Sequence, residues 1–344
     1  MKIIIAEYPE SADRDLSIEK EVFPEDAVLE LAVYTPETED AFIEQCRDAD
    51  AILVGYVGIN RRIIDGLEKC KVISVQATGW NYVDWEYARE KGIAVCAIGE
   101  YCTQEVADHA IMLMLALLKG LKTYERSVQT DRQWIYNAKP GVKRIEGLKL
   151  GIAGYGKIGR AVAKRAQSFG MEILAYDPYI PDEAIREMGA EPVTMDELLE
   201  QSDVITIHMN LTGENQGMFD LEKFKKMKRS PILLNVARGG AVKEEDLVYA
   251  LDHGLVSGAG LDVLSSETPD MNTCPLAGRE NVIITPHSAF YSTTTEYLLY
   301  KIPAENVLRC LEGKYKEANR VVNGDWIRVR NVGRDACFPE RSPM

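Results

Sequence analysis

The chain has 344 residues, 46% of them apolar and 27% charged, enough for about two globular domains with full cores. Its 54 acidic against 40 basic side chains leave a formal net charge of −14 with no basic stripe, a balance that speaks against nucleic-acid and anionic-membrane partners. The longest apolar run, Ala110 to Leu118, is too short to span a bilayer, and the first run, Ile3 to Ala6, reads as a strand rather than a secretory signal, so a cytoplasmic protein is expected.

In chain order, the apolar runs KIIIA, VLELAVY, AILVGY, KVISVQAT and IAVCAI are separated by helix-patterned stretches such as DAFIEQCRDAD, RRIIDGLEKC and YVDWEYAREKG. Strands spaced in this way predict a parallel sheet covered by helices on both faces. Thr103 is placed to cap the next segment, where Val106, Ala110, Met114, Leu117 and Leu121 share one face of a long helix that bridges to a second domain. Residues 126–148 lose this period and carry Pro140-Gly141 and Gly147, which predicts a connecting loop.

The stretch KLGIAGYGKIGRAVAKRAQSFGMEILAYD, Lys149 to Asp177, reads as strand, Gly154-x-Gly156-x-x-Gly159, amphipathic helix and second strand. Gly154 permits the tight turn, Gly156 lets a pyrophosphate approach the backbone, and Gly159 lets helix pack closely on strand. The helix start near Lys157 turns its free N–H groups and positive dipole end toward the phosphates. Asp177 stands eighteen residues after the last glycine, where a carboxylate accepts ribose hydroxyls and repels a 2′-phosphate; no Arg occurs in the eight residues that follow it, so NAD is expected over NADP.

Beyond this unit the alternation resumes with DVITIHM, PILLNVA, VSGAGLDV and NVIITPH, four more strands that bring the second domain to about six. From Ser292 the pattern is helical through TTTEYLLYKIPAENVLRCLEG, with Pro303 expected to break or kink it, and the tail after Tyr315 has no period.

Ligands of open parallel sheets bind beyond the carboxyl ends of the strands. There the sequence places His208, then Arg238, then Asp262 and Glu267, then His287. For hydride transfer to a 2-oxo acid, Arg238 suits a bidentate clamp on the carboxylate and carbonyl, His287 suits the proton donor, and Glu267 suits the partner of its second ring nitrogen. The plain alternatives are a surface arginine, a capping histidine and a solvated loop glutamate. Among the other histidines, His109 is expected to be a packed or capping residue and His253 to lie at a helix carboxyl end. Trp80, Trp85 and Trp134 read as core or interface aromatics. Seven cysteines without a C-x-x-C, and four scattered histidines, predict reduced thiols and no metal site.

Val236-Ala237-Arg238-Gly239-Gly240, Gly260-Leu261-Asp262-Val263 with Glu267 and Pro269, and Thr285-Pro286-His287-Ser288-Ala289 resemble the D-isomer-specific 2-hydroxyacid dehydrogenases. The likeness covers roughly residues 50 to 300, including Ala77-Thr78-Gly79-Trp80-Asn81-Tyr82-Val83-Asp84 and Glu105-Val106-Ala107-Asp108-His109-Ala110, although His208-Met209-Asn210 replaces the usual Cys-Pro or Val-Pro after that histidine. PHSAFYS looks closest to the lactate-type and hydroxyisocaproate-type members.

The resemblance implies two doubly wound α/β domains linked by long helices. One is a flavodoxin-like substrate domain of residues 1–102 plus 292–344, and the other a Rossmann NAD-binding domain of residues 103–291. It implies Arg238, Glu267 and His287 as the catalytic set. Gly154, Gly156, Lys157, Ile158, Gly159, Asp177, His208, Met209, Asn210, Asn215, Val236, Ala237 and Asp262 would face NAD. Thr78, Gly79, Tyr101, Arg238 and Phe290 would face the substrate. It further implies a homodimer that reduces a 2-oxo acid to the (R)-2-hydroxy acid in a cleft that closes between the domains. The rivals on the same fold are a formate dehydrogenase, against which Glu267 speaks because Gln is the related family's residue, and an NAD-sensing corepressor that binds protein partners without turnover.

Overall fold

The structure is a computed structural model that describes residues 1–324. Two compact units are present: Met1–Tyr101 with the described chain from Ser292 onward, and Cys102–Tyr291. No helix among the described residues is long and apolar enough to cross a membrane.

The first unit holds strands β1 (Lys2–Glu7), β2 (Val28–Val33), β3 (Ala51–Val54), β4 (Val72–Val75) and β5 (Ala94–Cys96), with helices α1 (Ser17–Val22), α2 (Glu39–Cys46), α3 (Arg61–Asp65) and α4 (Trp85–Lys91). The strands are all parallel in the order β2-β1-β3-β4-β5, so the order reverses between β1 and β3. Because strand side chains alternate, β1 sends Ile4 and Ala6 into one core and Ile3 and Ile5 into the other. The long last helix, Thr293–Leu311, buries Ala304, Val307 and Cys310 in the second of these cores. Pro303 lies inside this helix without interrupting it, so of the expected break or kink the break does not occur. Burial of the face that follows it supplies packing that outweighs one missing amide donor.

The tail is more ordered than its sequence suggests as far as it is described. A short 3-10 turn at Tyr315–Glu317 is followed by a bridge between Val321 and Cys96, and the Asn323 side chain is buried beside β5. Its Oδ1 accepts from the Val95 N–H at 2.9 Å and its Nδ2 donates to the Ile93 carbonyl at 2.9 Å. The rest of the tail lies outside the described residues.

The second unit begins with α5 (Thr103–Lys119) and α6 (Leu121–Gln129). Thr103 is the first residue of α5 rather than its cap, since Cys102 occupies that position. The apolar stripe does not continue to Leu121. Gly120, at φ 65°, ends the helix in the left-handed conformation, and Leu121 is exposed. The connecting loop accordingly starts after α6 rather than at residue 126, and Trp134 within it is 92% exposed, not a core aromatic.

There follow β6 (Lys149–Ala153), α7 (Lys157–Gln167), β7 (Glu172–Tyr176), α8 (Asp182–Glu187), β8 (Glu191–Pro192), α9 (Met195–Gln201), β9 (Val204–Ile207), α10 (Leu221–Lys226), β10 (Ile232–Asn235), α11 (Glu244–Asp252), β11 (Gly258–Leu261) and β12 (Val282–Ile284). The strands form one parallel sheet in the order β12-β11-β10-β9-β6-β7-β8, seven rather than six because the two-residue β8 pairs with β7. The order reverses between β6 and β9, which puts the glycine-rich turn at the switch point. With the closing helix of the first unit as α12, the fold is two parallel-sheet α/β units, each with a core on both faces of its sheet.

Replacing Asn323 with Ala leaves the Val95 N–H and the Ile93 carbonyl buried without partners. Unfolding in urea should show a loss of about 1–3 kcal/mol with unchanged slope. An unchanged midpoint would show that the clamp contributes nothing.

Candidate active site

The dinucleotide turn is built as its glycines require. Gly154 has φ 96°, and a Cβ there would sit 2.8 Å from the backbone of His208 and Met209. A Cβ at Gly159 would sit 2.2 Å from the Gly154 carbonyl oxygen, so helix and turn touch backbone to backbone. Gly156, by contrast, is exposed with nothing within 4 Å of a would-be Cβ, which is the open approach a phosphate needs at the α7 N-terminus. Lys157 is exposed beside it and Ile158 packs its side chain into the core. Asp177 is oriented by this turn, Oδ2 accepting from the Tyr155 N–H at 2.8 Å and Oδ1 from the Tyr179 N–H at 2.9 Å.

The charged groups of the second unit emerge at successive strand ends, and Asp262 is their anchor. It is 1% exposed directly after β11. Its Oδ1 accepts from the Thr285 hydroxyl at 2.5 Å and the Ser288 N–H at 2.9 Å, and its Oδ2 accepts from the Ala289 N–H at 2.9 Å. Its own carbonyl accepts from the His287 N–H at 2.8 Å. Wrapped this tightly around one carboxylate, the loop after β12 holds His287 at φ 52°, a left-handed conformation uncommon for a residue with a side chain. The imidazole is thereby presented to Glu267, with Nδ1 at 2.7 Å from Oε2. Both groups are partly exposed, and the Phe290 ring stands edge-on to the imidazole with centroids 6.4 Å apart.

Arg238 is exposed after β10, its Nη1 donating to the Ala237 carbonyl at 2.8 Å. The turn that carries it is fixed by buried Asn235, whose Oδ1 accepts from the Ala237 N–H and whose Nδ2 donates to the Arg238 carbonyl. A Cβ on Gly239 would sit 1.7 Å from the Leu264 carbonyl oxygen, so only glycine lets the Arg238 turn lie against the segment leading to Glu267.

The remaining expected residues divide. Val236 is buried and Ala237 half-buried beside the Arg238 turn. Met209 packs on the core, Asn210 is exposed, and Asn215 spends its amide on the loop, Nδ2 donating to the Asn210 carbonyl and Oδ1 accepting from the Thr212 N–H. The Thr206 hydroxyl lies 2.9 Å from Nε2 of His208, and burial pushes the imidazole pKa of His208 down to about 3. Thr78, Gly79 and Tyr101 belong to the first unit, the first two just beyond β4.

Three positioning residues escape the sequence reading: Asn235, Thr285 and His109 in this role. Because the Thr285 hydroxyl donates to Asp262, its oxygen accepts from His109 Nε2 at 2.9 Å. Desolvation lowers the His109 pKa, against the pull of Asp262, and keeps the ring neutral. A polar residue at a strand end before a glycine pair signals Asn235; nothing local signals the pairing of Thr285 with His109, far apart in sequence.

Residues 111–289 match the family model for the D-isomer specific 2-hydroxyacid dehydrogenase NAD-binding domain. The chain belongs to this family. It is 36% identical over 306 residues to a glycerate dehydrogenase of Methylorubrum extorquens, covering 87% of this chain and 94% of that one. It is 37% identical over 276 residues to a hydroxypyruvate reductase of Blautia hydrogenotrophica, covering 79% and 85%. Among solved structures, a D-lactate dehydrogenase of Aquifex aeolicus complexed with NAD and lactic acid superposes with a TM-score of 0.81 at 28% identity, over 94% of this chain and 99% of that one. As a member of the D-isomer-specific 2-hydroxyacid dehydrogenases this chain is an NAD-dependent oxidoreductase, and the open turn at Gly156 fits that cofactor.

The depressed His208 pKa has a consequence for stability. A histidine titrating near 6.5 in the unfolded chain and at about 3 in the folded one stabilises fully above the unfolded value, and that contribution is lost as pH falls toward the folded value. Between pH 7 and pH 4 the thermal midpoint should therefore fall more steeply for the native dehydrogenase than for His208→Gln. Parallel curves would assign the acid sensitivity elsewhere.

Proposed function

We propose that this dehydrogenase reduces a 2-oxo acid reversibly to the (R)-2-hydroxy acid, with Arg238, Glu267 and His287 as its catalytic residues. The observation that carries the reading is the 2.7 Å contact between His287 Nδ1 and Glu267 Oε2, on a loop whose backbone Asp262 fixes. NADH, when bound, supplies the hydride to the carbonyl carbon. As the carbonyl oxygen gains charge, His287 Nε2 delivers the proton, while Nδ1 stays bonded to Glu267, which holds the ring in orientation. The Arg238 fork binds the substrate carboxylate and polarises the carbonyl beside it. Asp177 accepts the ribose hydroxyls.

Reduction needs the protonated imidazole and oxidation the neutral ring, so kcat/KM should fall with rising pH in the first direction and with falling pH in the second. In Glu267→Gln the ring loses the carboxylate acceptor that orients it, and kcat should fall in both directions with NADH binding unchanged. His287→Ala should lose most activity in both directions and still bind NADH, as followed by nucleotide fluorescence. Native kcat in Glu267→Gln, or full turnover in His287→Ala, would sink the assignment. His109 and His208, whose burial favours the neutral form, are poor substitutes as donors.

Arg238→Lys keeps the charge and loses the fork. Its kcat/KM should drop by about 100-fold or more, a loss of several kcal/mol of transition-state stabilisation. Near-native kinetics in that variant would remove Arg238 from the substrate.

A further inference from the structure

The two halves of the His287 and Glu267 contact sit on different loops of the second unit. Asp262 fixes the loop after β12 that carries His287, whereas Glu267 is an exposed side chain on the loop after β11. A contact between two loops is no better defined than the looser of them. The second loop is held at the peptide group that joins Leu264 to Ser265, just ahead of Glu267.

That peptide is held at two points by one short segment, Arg238 to Glu244. It packs on Gly239, where a Cβ would fall 2.6 Å from the Ser265 nitrogen and nearer still to the Leu264 carbonyl oxygen. Its N–H, that of Ser265, donates to Oε1 of Glu244, the first residue of α11. The segment between these two grips is itself fixed. The Ala241 N–H donates to the Arg238 carbonyl at 3.2 Å, and buried Phe219 accepts from the Lys243 N–H and donates to the Ala241 carbonyl, both at 3.0 Å. Beyond the peptide, the Ser266 hydroxyl accepts from the Thr268 N–H at 3.1 Å and closes a tight turn with Glu267 at its middle. The chain is therefore tied on either side of Glu267.

From this arrangement we infer that Glu244 is a positioning residue for the proton-donating pair: acting through the Ser265 N–H, its carboxylate sets where the Glu267 side chain meets His287. The inference rests on the dehydrogenase reading above. The same segment carries Arg238 at its other end, so one piece of chain registers both the arginine fork and the acceptor of the imidazole. Ser265 is exposed, and water satisfies its N–H once the Glu244 carboxylate is removed, so the fold loses little. What is lost is registration, and a misplacement of about 1 Å can cost about 100-fold in rate.

The test is single-turnover NADH oxidation by the full chain, with whichever of hydroxypyruvate, glyoxylate, pyruvate and 2-oxoisocaproate the native enzyme reduces best. Glu244→Ala should slow hydride transfer about 10-fold or more with the Kd for NADH unchanged. Glu244→Gln, which keeps an acceptor for the Ser265 N–H, should recover most of that rate. In a Glu267→Ala background the Glu244→Ala change should cost less than about twofold, because no carboxylate is left to position. A native rate in Glu244→Ala, no recovery in Glu244→Gln, or an equal loss with and without Glu267 overturns the positioning role and leaves the dehydrogenase reading standing. NADH left unoxidised with every one of these acids overturns both.

Discussion

The second unit depends on one buried carboxylate. Asp262 collects a hydroxyl and two backbone N–H donors from the loop after β12, and its main chain takes a third N–H from His287. Hydrogen bonds to an ionised acceptor are roughly twice as strong as neutral ones, and here they converge on the segment that carries the imidazole. The uncommon backbone conformation of His287 is affordable because so many bonds determine it at once. The ring is thus aimed by its neighbours' backbone, a preorganisation that suits the proton-donor role proposed for it.

Close backbone approach is the second constraint. Gly159 against Gly154 and Gly239 against Leu264 are contacts that any Cβ would prevent. They bring helix α7 onto its strand and the Arg238 turn onto the segment before Glu267. The glycines of the fingerprint therefore do unlike work: Gly159 and Gly154 make room for protein, while Gly156 keeps room for the cofactor.

Much of this is legible in the sequence, for a physical reason. Parallel strands buried on both faces are short continuous apolar runs, and runs such as KIIIA and AILV stand out between amphipathic stretches. The spacing from Gly154 to Asp177 likewise encodes a whole βαβ unit. The family resemblance extends that reading to the return of the last helix to the first sheet, which periodicity does not reveal. The end of α5 is hidden because Leu121 continues the apolar spacing, and only the backbone at Gly120 turns it away. β8 is hidden because two residues have no period, and the persistence of α12 through Pro303 because packing, not local propensity, decides it. The proposed catalytic side chains are readable as polar residues at strand ends, whereas the Asp262 cluster exists only once distant segments are brought together.

The return of α12 also sets an order on synthesis. Ile3, Ile5, Ala51 and Leu53 share a core with Ala304, Val307 and Cys310, residues at opposite ends of the chain. A ribosome adding about 5–20 residues per second needs about 10–40 s to make the intervening second unit, and that unit is continuous and has all its strands before α12 emerges. The segment made first is therefore completed last. For that interval one face of the parallel sheet has only the short α1 over it, and the apolar side chains that α12 will cover stay open to solvent and to a chaperone.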